Sequence, residues 1–143
     1  MPDLTLRQAK RIIAATQAKG AEMGLKPLAV VVLDAGGHVK AFERQDGASN
    51  LRFQIAHGKA YGAVGFGTGS RVIAKRAVDE PHFVGALAGV FGDQLIPAPG
   101  GVLIRDKKGG IMGAVGVTGD VSANDETAAV AGIEAVNLVA DPG

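Results

Sequence analysis

The run Leu28-Ala29-Val30-Val31-Val32-Leu33 constrains the fold more than any other stretch of this sequence. It is continuously apolar, bounded by polar or turn-forming residues, and its centre is β-branched. It is far too short to cross a bilayer. It is also too uniformly apolar for a strand with one wet face, which would alternate. The run therefore predicts a strand covered on both faces.

Elements on either side of it follow from local chemistry. Thr5 and Gln8 have capping-box spacing, and Leu6, Ala9, Ile13, Thr16, Gly20 and Met23 fall on one helical stripe that Gly24 ends. After the turn Asp34-Ala35-Gly36-Gly37, residues His38 to Arg44 alternate as a second strand. Val39 and Ala41 point one way; His38, Lys40, Phe42 and Arg44 point the other. Ser49 or Asn50 is placed to cap a helix from Leu51 to Phe66, with Leu51, Ile55, Gly58 and Gly62 inward. Two shorter helices, Arg71 to Val78 and Phe83 to Phe91, flank Glu80-Pro81. A hairpin joins Val102-Leu103-Ile104 to Ile111–Val117, and a last helix starts near Ser122 with Ala129, Ile133, Val136 and Ala140 inward. Hairpins between helices predict an α+β fold with an antiparallel sheet. At 143 residues, with no linker or repeat, the expectation is one domain over 1–143.

Composition removes several classes of function. A net charge of +1 leaves no nucleic-acid footprint and no basic membrane patch. The absence of cysteine excludes disulfides, thiolate metal centres, cysteine nucleophiles and covalent haem attachment. No leader is visible from Met1 to Leu4, so the expected location is cytoplasmic. With 22 glycines and few aromatic rings, close packing of small residues is expected, together with burial of surface between copies of the chain in a homo-oligomer.

Candidate chemistry is spread along the chain. Gly65-Phe66-Gly67-Thr68-Gly69-Ser70 lacks the lysine of a phosphate loop. The three histidines lack zinc-enzyme spacing. Lys59 falls close to an apolar stripe, either as a snorkelling stem or as an ammonium aimed at a carboxylate or oxyanion. His57 and Tyr61, four apart, share a helix face and form either a solvated pair or a proton-handling or iron-binding one. His38, Lys40 and Arg44, with Phe42 among them, form a cationic row, and Arg44 with Asp46 either holds a ligand carboxylate or fixes the turn. Pro99-Gly100-Gly101 offers backbone N–H groups, and Ser122 to Glu126 puts Asp125 at a helix start.

Four segments in register resemble one family. They are Asp34-Ala-Gly-Gly-His-Val-Lys-Ala-Phe-Glu-Arg-Gln-Asp-Gly-Ala, Lys59-Ala-Tyr-Gly-Ala, Pro99-Gly-Gly-Val, and Ile111-Met-Gly-Ala-Val-Gly-Val-Thr-Gly followed by Asp125. The chain resembles the GlcG/HbpS family, which includes the C-terminal domain of PduO-type proteins. The resemblance implies a profilin-like α/β/α sandwich with a five-stranded antiparallel sheet flanked by helices, assembled into homo-oligomers. It also implies haem binding in some members, haem degradation in others, and links to glycolate, diol or aromatic-acid catabolism. The matching positions are Asp34, Gly37, Phe42, Arg44, Asp46, Gly47, Lys59, Tyr61, Gly100, Gly101, Gly113, Gly116, Gly119 and Asp125. Gln45, Gly62 and Leu103 depart from the family pattern, as does a first helix without the histidine that holds haem in PduO-type domains.

Three functions follow as expectations. One is a haem-binding or haem-degrading module with His38, His57 or His82, or an oxygen of Tyr61 or a threonine, on the iron. Another is a hydrolase, tautomerase or decarboxylase acting on a small carboxylate. In it Arg44 and Lys59 bind the carboxylate, His38 or Asp46 moves a proton, and Gly100 and Gly101 stabilise an oxyanion. Phe42, Tyr61 and Asp125 complete the ligand-binding set. The remaining one is a non-catalytic scaffold or sensor, since this fold serves many purposes.

Overall fold

The computed structural model describes residues 3–143. In chain order the elements are α1 (Leu6–Glu22), β1 (Ala29–Asp34), β2 (Val39–Arg44), α2 (Arg52–Phe66), α3 (Ser70–Asp79), α4 (Pro81–Val90), β3 (Gly101–Arg105), β4 (Ile111–Thr118), α5 (Ser122–Glu134) and β5 (Val139–Asp141). The strands form one antiparallel sheet in the order β2-β1-β4-β3-β5. The α+β expectation and the five-stranded sheet are both met. The short β5, however, is not legible in the hydrophobic pattern.

The apolar run does become a strand covered on both faces, because β1 sits inside the sheet between β2 and β4. Its alternate residues feed two cores. Val30 and Val32 join Ile12, Ile13, Val115, Val117 and Ile133 beneath α1 and α5. Val31 and Leu33 join Leu103 and Ala114 beneath Ala56, Ala60 and Ala63 of α2. A smaller cluster around Ile73, Val84 and Leu95 extends the α2 side under α3 and α4.

The layers on the α2 side are very close. A side chain at Gly116 would put its Cβ 2.0 Å from the Ala56 carbonyl oxygen, and one at Gly101 would sit 2.1 Å from that of Lys59. Only glycine in the strands lets the helix backbone rest directly on the sheet.

Local expectations fare unevenly. The Thr5–Gln8 capping box is present in full. Neither Ser49 nor Asn50 caps α2. Leu51 takes that position without a side-chain cap, while Ser49 accepts from Arg52 and Asn50 from Arg44. Leu51 is exposed, and the face toward the sheet is Ala56, Lys59, Ala60 and Ala63; Gly58 and Gly62 turn to Ile96 and Leu95 instead. The reason is that α2 is apolar on most sides, so its stripe has little contrast to read. Val136 and Ala140 pack on the core as expected, but from beyond the end of α5.

Candidate functional site

Two clusters of chemistry lie on α2, pointing in different directions. The inward one is centred on Lys59. Its Nζ donates to the Val117 carbonyl at 2.9 Å and to Asp125 Oδ2 at 3.2 Å, and both charged side chains are almost wholly buried. Asp125 Oδ1 also accepts the Asp120 N–H. Burial pulls the Lys59 ammonium below its usual range and pushes the Asp125 carboxyl up, and the opposite charge works against both shifts. The ammonium is thus aimed at a carboxylate, but one supplied by this chain, and the Lys59 side chain is closed off from solvent.

Gly100 and Gly101 belong to this same inner cluster. Gly101 donates its N–H to the Ser70 hydroxyl at 2.7 Å, and that hydroxyl in turn donates to the Ala98 carbonyl. Both glycines are buried, and a Cβ at Gly100 would lie 3.1 Å from Lys59 Nζ. The expected exposed oxyanion donors are instead packing positions around the Lys59 stem.

The outward cluster is aromatic. Phe53, His57 and Tyr61 recur every four residues along α2, so their side chains lie one above another. His57 stacks on Tyr61 with ring centroids 5.2 Å apart and an interplanar angle of 19°, and lies 5.7 Å from Phe53. Phe42 of β2 meets Phe53 edge-on at 4.8 Å. At the other end Phe91, just after α4, meets Tyr61 edge-on at 5.8 Å and stacks on Phe66. A chain poor in aromatic rings has gathered most of them into one row. Burial alone holds the His57 imidazole below its ordinary range, which keeps it neutral.

The remaining predicted residues are dispersed. His38 is exposed at the β1–β2 turn, with Nδ1 3.3 Å from Asp34 Oδ1. Asp34 Oδ1 also accepts the N–H groups of Gly36 and His38. Burial would raise the Asp34 carboxyl, but those donors and the imidazole hold it below the usual carboxylate range. Arg44 donates to Asn50 and the Ala48 carbonyl, and no Arg44–Asp46 ion pair forms among the described residues. A β-bulge opposite Val32 and Leu33 leaves Lys40 without a register partner, which interrupts the expected row from His38 to Arg44. Arg44 and Asp46 do line an open groove of about 650 Å³ against Gln17 and Leu25. His82 is exposed on α4. Among the described residues no three metal-ligating side chains converge, and no helix is long and apolar enough to cross a membrane.

Phe53 and Phe91 are the site residues that sequence reasoning missed. Phe53 had a readable signal, since it extends the His57–Tyr61 spacing by one turn. Phe91 had none, because α4 brings it in from a separate element.

A cleft of about 280 Å³ opens at the Phe91 end of the row, lined by Gly36, Tyr61, Val64, Gly65, Val90 and Phe91. With this geometry in place, known proteins supply context. The family model described as haem degrading protein HbpS-like matches residues 4–134. The Klebsiella pneumoniae protein ORFY is similar in structure, with a TM-score of 0.85 and 24% identity over 96% of this chain and 93% of that one. A double mutant of Streptomyces reticuli HbpS gives 0.82 and 26% over 95% and 88%. A PduOC:heme complex gives 0.84 and 20% over 96% and 97%. No curated protein matches the sequence. The match over residues 4–134 covers nearly every element of the fold, and this chain therefore belongs to the HbpS-like family.

Proposed function

We propose that this protein binds haem through the His57 imidazole on the aromatic face of α2. The observation that carries this reading is a half-buried, neutral imidazole set between Phe53 and Tyr61, with no hydrogen-bond partner among the described residues. Neutral imidazole is the usual haem-iron ligand, and the stacked rings offer a flat apolar surface to a porphyrin. His38 and His82 are both exposed and lie outside the row. Arg44, exposed two residues beyond Phe42 on β2, supplies positive charge suited to a propionate. The family and the haem complex of a structural relative support the same reading.

Bound haem would supply iron redox chemistry. The chain's own part is to present His57 and to keep its imidazole unprotonated. Phe42, Phe53 and Tyr61 would shield one porphyrin face from water. The carboxylate-enzyme alternative loses its principal cation, because Lys59 is sealed against Asp125.

A haemin titration followed by absorbance tests the proposal, with His38, His57 and His82 each changed to alanine. The expected result is a saturable Soret shift at one haem per chain that only His57→Ala abolishes. Retention of the full shift by His57→Ala would overturn it.

A further inference from the structure

Helix α4 is apolar on nearly every side, yet it lies on the surface. From Pro81 to Gly92 no residue except His82 can carry a charge, and within α4 only Val84 is buried. A helix of this composition is normally covered all round. We propose that the outer face of α4 is a self-association surface, on which a second copy of this chain packs its own α4 antiparallel about a two-fold axis.

One side of the helix is already used. Val84 and Leu87, with Phe91 just beyond the helix end, pack around Ile73 and Leu95. Arg76 covers the Phe83 ring, 4.4 Å from its centroid. The opposite side carries His82, Gly85, Ala86, Gly89 and Val90, spaced three and four apart on one stripe and all exposed. Val90 is the most open of them, at 80%.

Glycine weakens a helix, so a helical glycine needs a reason. A Cβ at Gly20, Gly58, Gly62, Gly65 or Gly132 would come within 2.7 Å of another part of the chain, so packing inside the molecule requires those five. At Gly85 and Gly89 a Cβ would meet nothing within 4 Å, and neither has a positive φ. No contact within this chain uses their small size. A helix backbone approaching from outside does.

Shape and charge select a second copy as the occupant. A two-fold axis at the middle of the face sets Gly85 opposite the partner's Gly89 and Ala86 opposite the partner's Val90. The backbones then approach at the glycines, and each Val90 fills the space over an alanine. The same axis brings His82, at the start of one helix, beside the partner's Asp93, past the end of the other. Asp93 is held there by its N–H, which donates to the Ala88 carbonyl at 2.7 Å. His82 and Asp93 are exposed, and neither has an ion-pair partner among the described residues. The pairing supplies one to each, at both ends of the contact. One short helix and its flanks make a small interface, so a reversible, concentration-dependent dimer is expected.

Sedimentation velocity of the haem-free chain over a concentration series tests this, independently of the role given to His57. The native chain should dimerise reversibly. Gly89→Leu adds bulk where the folded chain leaves open space, so it should abolish association without lowering the melting temperature. His82→Asp, facing the partner's Asp93, should weaken association about tenfold, whereas His82→Arg should keep or strengthen it. If Gly89→Leu melts early, the two His82 variants decide, because they leave the inward packing of α4 untouched. A monomer at every concentration, or association unchanged in a folded Gly89→Leu, would overturn the proposal. Equal effects of His82→Asp and His82→Arg would overturn the antiparallel pairing. Binding of a monomeric chain to neutral phosphatidylcholine vesicles would assign the face to lipid and overturn it as well.

Discussion

Lys59 Nζ stands 3.2 Å from Asp125 Oδ2 although their helices lie on opposite faces of the sheet. The lysine stem runs past the backbone of Gly100 to reach the first turn of α5, and donates to the β4 carbonyl of Val117 on the way. One side chain therefore ties both helical layers to the sheet between them. Removing either partner strands a buried charge. Lys59→Met or Asp125→Asn should each cost about 3–5 kcal/mol in chemical denaturation. The double change Lys59→Met with Asp125→Leu should recover part of this, because it strands no charge but leaves the Asp120 N–H and Val117 carbonyl unpaired. Additive losses in the double variant would show that the two groups do not act as a pair.

The tight seat of α2 makes a second prediction. A methyl group at residue 101 would press into the Lys59 carbonyl at 2.1 Å and crowd the Ser70 hydroxyl at 2.9 Å. Gly101→Ala should lower stability by about 1–3 kcal/mol, while Gly109→Ala, with open space around it at φ +88°, should lose only about 1 kcal/mol through backbone strain. Thermal melts of the two variants side by side check the order.

A buried hydroxyl predicts a gain. Thr16 Oγ1 has no hydrogen-bond partner among the described residues, and it faces Gly132 where α1 crosses α5. Thr16→Val keeps the shape and removes the stranded oxygen, so it should stabilise the protein by about 1 kcal/mol. A lower denaturation midpoint would show instead that the oxygen is satisfied.

His57 makes stability depend on pH. Its folded pKa is lowered by burial below the ordinary 6.5, so the unfolded chain binds the proton more readily. Stability therefore rises with pH from the lowered folded value up to about 6.5, and acidification through that window weakens the fold. His57→Phe should flatten this component of a denaturation series run between about pH 5 and 8. The same shift means that haemin binding should persist slightly below 6.5, where an unperturbed histidine is already half protonated.

Much of the architecture was legible in the chain itself. The Leu28–Leu33 run demanded cover on both faces, the Thr5–Gln8 box placed the first helix, and the glycine turns placed two hairpins, because each signal acts over a few neighbouring residues. The His57–Tyr61 pair was legible for the same reason, being one turn apart on one helix. Tertiary structure decided what local spacing does not encode. The fate of Lys59 depended on Asp125, 66 positions away, reaching it from the opposite face of the sheet. The aromatic row needed Phe42 from a strand and Phe91 from beyond α4. Where residues distant in sequence meet, the outcome is set by how layers stack and which glycines let them approach. No periodicity in the chain carries that information.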